Sequence, residues 1–505
     1  MILNMRTRYI RHSHQPPDLA STVIDAYIQE ILSALVSNVH LISSKHPQEK
    51  GSVYIGQAGV ILMNIHLARL AIEEHTLPHR DLADKLLRAA VPPSSTHLQS
   101  PKDASRASFL ETPIGLATLL VERTMDSEAS PDFSEALASA CLDTVRDAVS
   151  LAIQEDEQHS LLDDDGCEVL YGRAGTLYAL LRLRTASSTC SSRLGGEVSK
   201  VASDSSIAAL VGSIILRGKI GAKAYGTGSP PLMWRWHRKR YLGAAHGVGR
   251  AYLTAVTCEA EIHTCLAGIL HMLLMIPGRI LQKHSEDILG TIDWLIRIQD
   301  TTGNWPTKAP DVDDIVDPAE SSDLVQWCHG ATGIVLMLCT LVHRATYAPQ
   351  ILFLSHAQFA SILSGISKGA SLIYRHGLLR KGVGLCHGVA GSVYALIAVA
   401  CAVEHYNLGG AEGPPAHSPV EYLARAVHLA HLATRYVELT AEGRMAAPDR
   451  PWSLYEGSAG ICCAWGSLLT LLDQCKRSES TLFKHGYETR SGFPGFDDIL
   501  VDGSW

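Results

Sequence analysis

Residues 385–396 read LCHGVAGSVYAL, and residues 327–338 read WCHGATGIVLML. Both stretches contain Cys-His-Gly, two residues and a second Gly, then an apolar run. An apolar run that follows a glycine pair reads as a buried helix entered from a tight loop. The same frame, Gly-x-x-Gly followed by about ten mostly apolar residues, also starts at Gly56, Gly172 and Gly457. Two degenerate copies fill the gaps. One begins at Gly247, where Arg250 replaces the second glycine, and the other at Thr112, where only Gly115 remains. This makes seven units, most of them roughly 55 to 85 residues apart.

Between the apolar runs lie segments such as VIDAYIQEILSALVSNVHLI, SEDILGTIDWLIRIQD and VEYLARAVHLAHLATRYVELT. Their apolar residues recur at three- and four-residue spacing, the signature of amphipathic helices. An amphipathic outer helix paired with an apolar inner one, seven times over, predicts an all-α fold. The expected form is an α/α toroid, a double-layered helical barrel of about seven hairpins. The whole chain, 1–505, reads as one domain with its core at about 50–475. Flexible insertions are expected near 186–206, 308–322 and 406–419, where Ser/Gly-, Asp- and Gly/Pro-rich stretches interrupt the repeat.

Of the 505 residues, 46% are hydrophobic and 19% charged, with a formal charge of −8. That acidity disfavours a nucleic-acid partner, which would require a basic face. The first twenty residues lack an apolar run of the kind a secretory signal requires. Twelve cysteines without such a signal suggest reduced thiols and a cytoplasmic location. The longest apolar runs are short for a membrane span and read as buried helices; peripheral membrane association is left open.

Cys328 and Cys386 hold equivalent positions in adjacent units, so in a toroid their thiols face one cavity. Two thiolates and an imidazole make a three-ligand zinc site with a vacant fourth position. The alternative is a pair of buried cysteines with helix-capping histidines. Spacing does not rank His329 against His387. Zinc held this way would lower the pKa of a fourth ligand, and a thiol there becomes the nucleophile. Addition to a conjugated double bond also requires a proton donor. His246, which precedes a glycine in a third unit, is a candidate, and Glu168 is a weaker one.

WCHGATG, GLCHGVAG, YLGAAHG, LYGRAGTLYALL and SLYEGSAG together resemble the LanC-like family, eukaryotic relatives of bacterial lanthionine cyclases. The resemblance runs from about Tyr54 to the C-terminus. It implies zinc at one end of the toroid, with ligands at Cys328, Cys386 and His387. It places the active-site histidine at His246 and an acidic residue at Glu168. Glutathione is the implied co-substrate, added to dehydroalanine and dehydrobutyrine in proteins, and Lys381 is the implied glutathione-binding residue. The family's second anchor, an arginine, falls on Ala446 here, with Arg444 and Arg450 nearby. That gap leaves an alternative, a non-catalytic glutathione- or zinc-binding scaffold that regulates a kinase or membrane receptor. Lanthionine synthesis on a precursor peptide is a third option.

Overall fold

The computed structural model describes residues 7–45, 51–70, 78–91, 100–126, 133–154, 166–235, 239–245, 266–309, 323–408, 418–477 and 493–496. Among these residues the regular structure is helical, with two isolated β-bridges. Seven helices form an inner layer: α2 (Gln57–Arg69), α4 (Pro113–Met125), α6 (Arg173–Ser188), α9 (Leu266–Leu274), α12 (Ala331–Tyr347), α14 (Val389–Leu408) and α17 (Ser458–Arg477). Each packs on the next, and α17 packs back on α2, so the inner layer is a closed ring. The outer layer comprises α1 (Val23–Lys45), α3 (His79–Ala90), α5 (Glu135–Gln154), α7 (Arg193–Val201) and α8 (Asp204–Tyr225). It continues with the short α10 (Gly278–Leu281), then α11 (Ser285–Arg297), α13 (His356–His376), α15 (Pro419–Ala433) and the short α16 (Tyr436–Ala441). The fold is the expected α/α toroid.

Burial separates the layers as the pattern predicts. Every residue from Ala58 to Leu67 in α2 is buried, as expected for a helix with neighbours on all sides. The apolar stretch Val389–Asn407 has the length and hydropathy of a membrane span, but 89% of its most apolar 18-residue window is buried inside the protein. In α13, by contrast, the buried residues recur on one stripe, including Ile362, Ile366, Gly369 and Ile373. The outer partner of α17 is α1, from the opposite end of the chain. The closed ring therefore uses a helix that precedes the expected core boundary.

The second glycine of each unit is required by crowding. A Cβ on Gly59, Gly115, Gly175, Gly333, Gly391 or Gly460 would lie 2.0–2.4 Å from the carbonyl oxygen of the residue six positions earlier. In all of these but Gly391 it would also press on the preceding unit in the ring. For Gly175 that neighbour is the Ser108 Cβ at 2.6 Å, and for Gly333 the Ala244 Cβ at 2.6 Å. No side chain fits, so the loop can fold back over its own helix only with glycine there.

This crowding corrects the reading of the fourth unit. Its second glycine is Gly268, whose Cβ would lie 1.8 Å from the Ala244 oxygen, and not the position of Arg250. Ala244 is 24 residues earlier instead of six, so 24 − 6 = 18 residues are extra. Backbone hydrogen bonds give the same count. Arg173 N donates to Gly166 O and Val389 N to Gly382 O, each seven residues back. In unit four Leu266 N donates to Tyr241 O, 25 residues back, and 25 − 7 = 18. With residues 248–265 set aside, the chain reads His246-Gly247-Leu266-Ala267-Gly268, the motif of the other units.

The expected flexible stretch near 186–206 is instead helical. Leu194, Val198 and Val201 fall on one face of α7 and are buried, and Ser192 caps it by accepting from Gly195 N. Amphipathic spacing and an N-cap outweigh a Ser/Gly-rich composition. The stretches 310–322 and 409–417 of the other two expected insertions lie outside the described residues.

Candidate metal centre

The loops before the inner helices meet at one end of the ring and are stitched to each other through the backbone. Tyr54 N donates to Leu110 O, Tyr455 N to Tyr54 O, Cys386 N to Tyr455 O, and Trp327 N to Cys386 O. Each bond joins neighbouring units at the same level. Equivalent motif positions are therefore adjacent in space, and Cys328 and Cys386 become neighbours although they are far apart in sequence.

Local structure holds each sulfur in place. Gly330, at φ +86°, ends the Cys328 loop in a conformation that L side chains rarely adopt. Asn304 caps α12 in its place, with Oδ1 accepting from Ala331 N at 2.9 Å and Nδ2 donating to Leu324 O. Gln326 Nε2 reaches the Cys328 sulfur at 3.3 Å. Both cysteines lie at the N-terminal ends of inner helices, where the helix dipole favours a thiolate.

Cys328, Cys386 and His387 are buried, and a ligand atom from each lies within 4.8 Å of the others. Among the described residues this is the group of donors so gathered. The two thiols titrate together. Burial alone raises Cys328, but its hydrogen bond with Cys386 and the imidazoles of His329 and His387 hold it well below the usual thiol range. Burial and the charge of Cys328 push Cys386 well up. The pair therefore favours one thiolate over two. His387 Nδ1 is buried with no hydrogen-bond partner. Two soft sulfurs, one imidazole and a buried ring nitrogen without a partner suit zinc.

A family model described as "Lanthionine synthetase C-like protein" matches residues 47–264 and 266–479. The chain belongs to the lanthionine synthetase C-like family. This LanC-like chain is 29% identical over 311 residues to the LanC-like protein GCL1 of Arabidopsis thaliana, covering 61% of the chain and 56% of that relative. The chain thus spans little more than half the length of that relative. It is 26% identical over 455 residues to a Danio rerio protein named glutathione S-transferase LANCL1, covering 89% of each.

The other expected site residues are placed differently. His246 lies outside the described residues, next to the buried Ala245. Glu168 is 1% exposed, and its carboxylate accepts from Leu170 N at 2.6 Å and from Tyr171 N, bracing its own loop. Lys381 is exposed at the ring mouth, where its charge lowers Cys386, His329 and Glu456. Arg450 is half-buried and its charge also reaches Glu456, whereas Arg444 is exposed and pairs with Glu442. Ala446 donates its N–H to Arg380 O.

Three features escaped the sequence reading. The Tyr54 phenol is fully buried, and burial, followed by the charges of Cys386 and Glu456, raises it well above the usual range. Glu456 is raised by burial, against the pull of His387 and Lys381. Counting back from the second glycine would have found both. Tyr54 shares the position of Cys328 and Cys386, and Glu456 that of His329 and His387. The third is the C-terminal stretch Phe493–Phe496, packed into the ring interior. Gly495 O accepts from Trp327 Nε1 at 2.9 Å, Pro494 O accepts from the Tyr455 hydroxyl, and Phe496 stacks on Trp327.

Proposed function

We propose that this LanC-like chain adds the thiol of glutathione to dehydroalanine and dehydrobutyrine residues in proteins, with zinc held by Cys328, Cys386 and His387. The observation that carries this reading is the convergence of three donors. Structural zinc closes its shell with four protein ligands, while catalytic zinc keeps one position for substrate. A zinc ion held there would stabilise the thiolate form of a thiol at neutral pH. The name of the Danio rerio relative supplies the thiol's identity.

The chain's own residues supply the rest of the reaction. Lys381 and Arg450 suit the two carboxylates of glutathione, and Glu456 suits its ammonium group. The sulfur bonds to the β-carbon of the dehydroamino acid, and the double-bond electron pair moves toward the α-carbon. A proton is then delivered to that carbon, so the net change is addition of one thiol with no leaving group. We assign His246 as the donor, because it shares the motif position of His329 and His387 once residues 248–265 are set aside. Glu168 holds the neighbouring loop in shape. Thiol chemistry also suits a reducing compartment, and we place the protein in the cytoplasm on that ground.

The test is mass spectrometry of a dehydroalanine peptide incubated with glutathione and zinc-loaded protein. The expected product gains the mass of one glutathione, with little adduct above background for Cys386→Ser. Equal adduct with the variant would refute the role of the metal centre. A peptide left unmodified by metal-loaded wild type would leave a glutathione-binding scaffold.

A further inference from the structure

The helices that begin at the metal centre carry a second set of metal-binding side chains at their far ends. On α12, Cys339 and His343 are four residues apart; on the adjacent α14, Cys401 and His405 are four apart. Residues at i and i+4 share a helix face. The two imidazoles meet between the helices, with His343 Nδ1 2.9 Å from His405 Nδ1. Cys339, Cys401 and His405 are buried, His343 is half-buried, and the Tyr347 ring lies 4.6 Å and 5.0 Å from the two imidazoles.

We propose that His343, His405 and Cys401 form a second metal site for zinc or a similar borderline divalent cation, with Cys339, one helical turn before His343, as the nearest further thiol. Two nitrogens bound to one tetrahedral zinc at about 2.0–2.1 Å stand about 3.4 Å apart. The two Nδ1 atoms therefore need to separate by only about 0.5 Å. Binding moves the Nδ1 proton to a ring Nε2, and the Nε2 of His405 is already buried without a hydrogen-bond partner. The Cys401 thiol, one helical turn before His405 on α14, does not lie within 4.8 Å of both imidazoles and must move onto the pair, losing its proton to solvent. Burial holds both imidazoles neutral, as metal ligation requires, and lowers them to about 3 and about 4. His405 lies in the last turn of α14, where the helix dipole favours a cation. The buried Arg344 is beside His343, but its guanidinium is turned to Ile276 O, and a thiolate offsets part of the added charge. Twelve residues of helix separate His343 from the start of α12, about 18 Å at 1.5 Å per residue, so this site is separate from the Cys328 centre.

The test strips full-length protein with chelator, reloads it with Co²⁺ and counts bound metal. Wild type is expected to bind two equivalents and Cys328→Ser/Cys386→Ser one, with thiolate-to-cobalt absorption remaining. Adding His343→Ala/His405→Ala removes the last equivalent. Adding the milder Cys401→Ser instead removes the absorption while circular dichroism shows an intact fold. If Cys328→Ser/Cys386→Ser binds no cobalt, or its absorption survives Cys401→Ser, the second site is overturned. One equivalent in wild type, lost in Cys328→Ser/Cys386→Ser, would overturn this site while leaving the proposed function standing.

Discussion

At the scale of single residues, the metal centre depends on which histidine accompanies the two sulfurs. His387 meets them, whereas His329, beside Cys328, is 5.9 Å from the Tyr241 ring, centroid to centroid. His387→Ala should weaken zinc binding at least tenfold in a competitive chelator titration, and His329→Ala much less. Cys328 and Cys386 were legible in the sequence because both carry the same motif, but spacing did not choose the histidine, and His387 came only from the family resemblance. That choice depends on how neighbouring loops are stitched together, and no spacing rule within one unit contains that information. Glu168, four residues before Gly172, reads from the sequence as a weaker candidate, and its carboxylate accepts from two backbone N–H groups of its own loop.

Glu122 provides a residue-scale test of stability. It bridges two other inner helices, with Arg69 at 2.7 Å and Arg182 in contact. Burial alone would raise its carboxyl, but the two guanidiniums pull it from 4.5 to about 2. A folded-state pKa below the unfolded one stabilises the protein at pH values above about 4.5 and loses that stabilisation as the pH falls toward 2. Glu122→Gln should therefore cost about 3 kcal/mol at neutral pH, and the cost should shrink between those limits. Denaturant unfolding of both proteins across that pH range measures it.

At the scale of elements, the glycines and the inserted stretch each make a prediction. Gly175→Ala places a Cβ 2.4 Å from Val169 O and 2.6 Å from the Ser108 Cβ. The obstacle on one side is backbone, so the loop must shift, at roughly 1–3 kcal/mol. Unfolding measurements should show that loss with metal binding unchanged, since the third unit lies away from the cysteines. Deleting residues 248–265 should leave a folded protein with a melting temperature at least equal to wild type, because His-Gly-Leu-Ala-Gly then reproduces the motif of its neighbours. A chain that fails to fold after the deletion would refute the register assigned to unit four. The helices themselves were legible because their periodicities differ, apolar all round inside and one-sided outside. The register of unit four was not, because the apolar run AYLTAV at 251–256, close after Gly247, imitates the start of an inner helix. The helix α7 was missed because composition was given more weight than the spacing of Leu194, Val198 and Val201.

At the scale of the whole molecule, the ring closes through parts of the chain that sequence order separates. α1 covers α17, and the stretch Phe493–Phe496 fills the interior beside Trp327 and Tyr394. Repetition alone predicted the toroid. It said nothing of these two closures, since neither segment contains the repeated motif. Closure sets seven equivalent loops in a circle, so two cysteines one unit apart become partners. The most direct test of that claim is the amount of zinc bound per chain by chelator-stripped, reloaded wild type and by Cys328→Ser/Cys386→Ser. A variant that binds one equivalent less than wild type is the predicted result, and equal binding by the two proteins would contradict it.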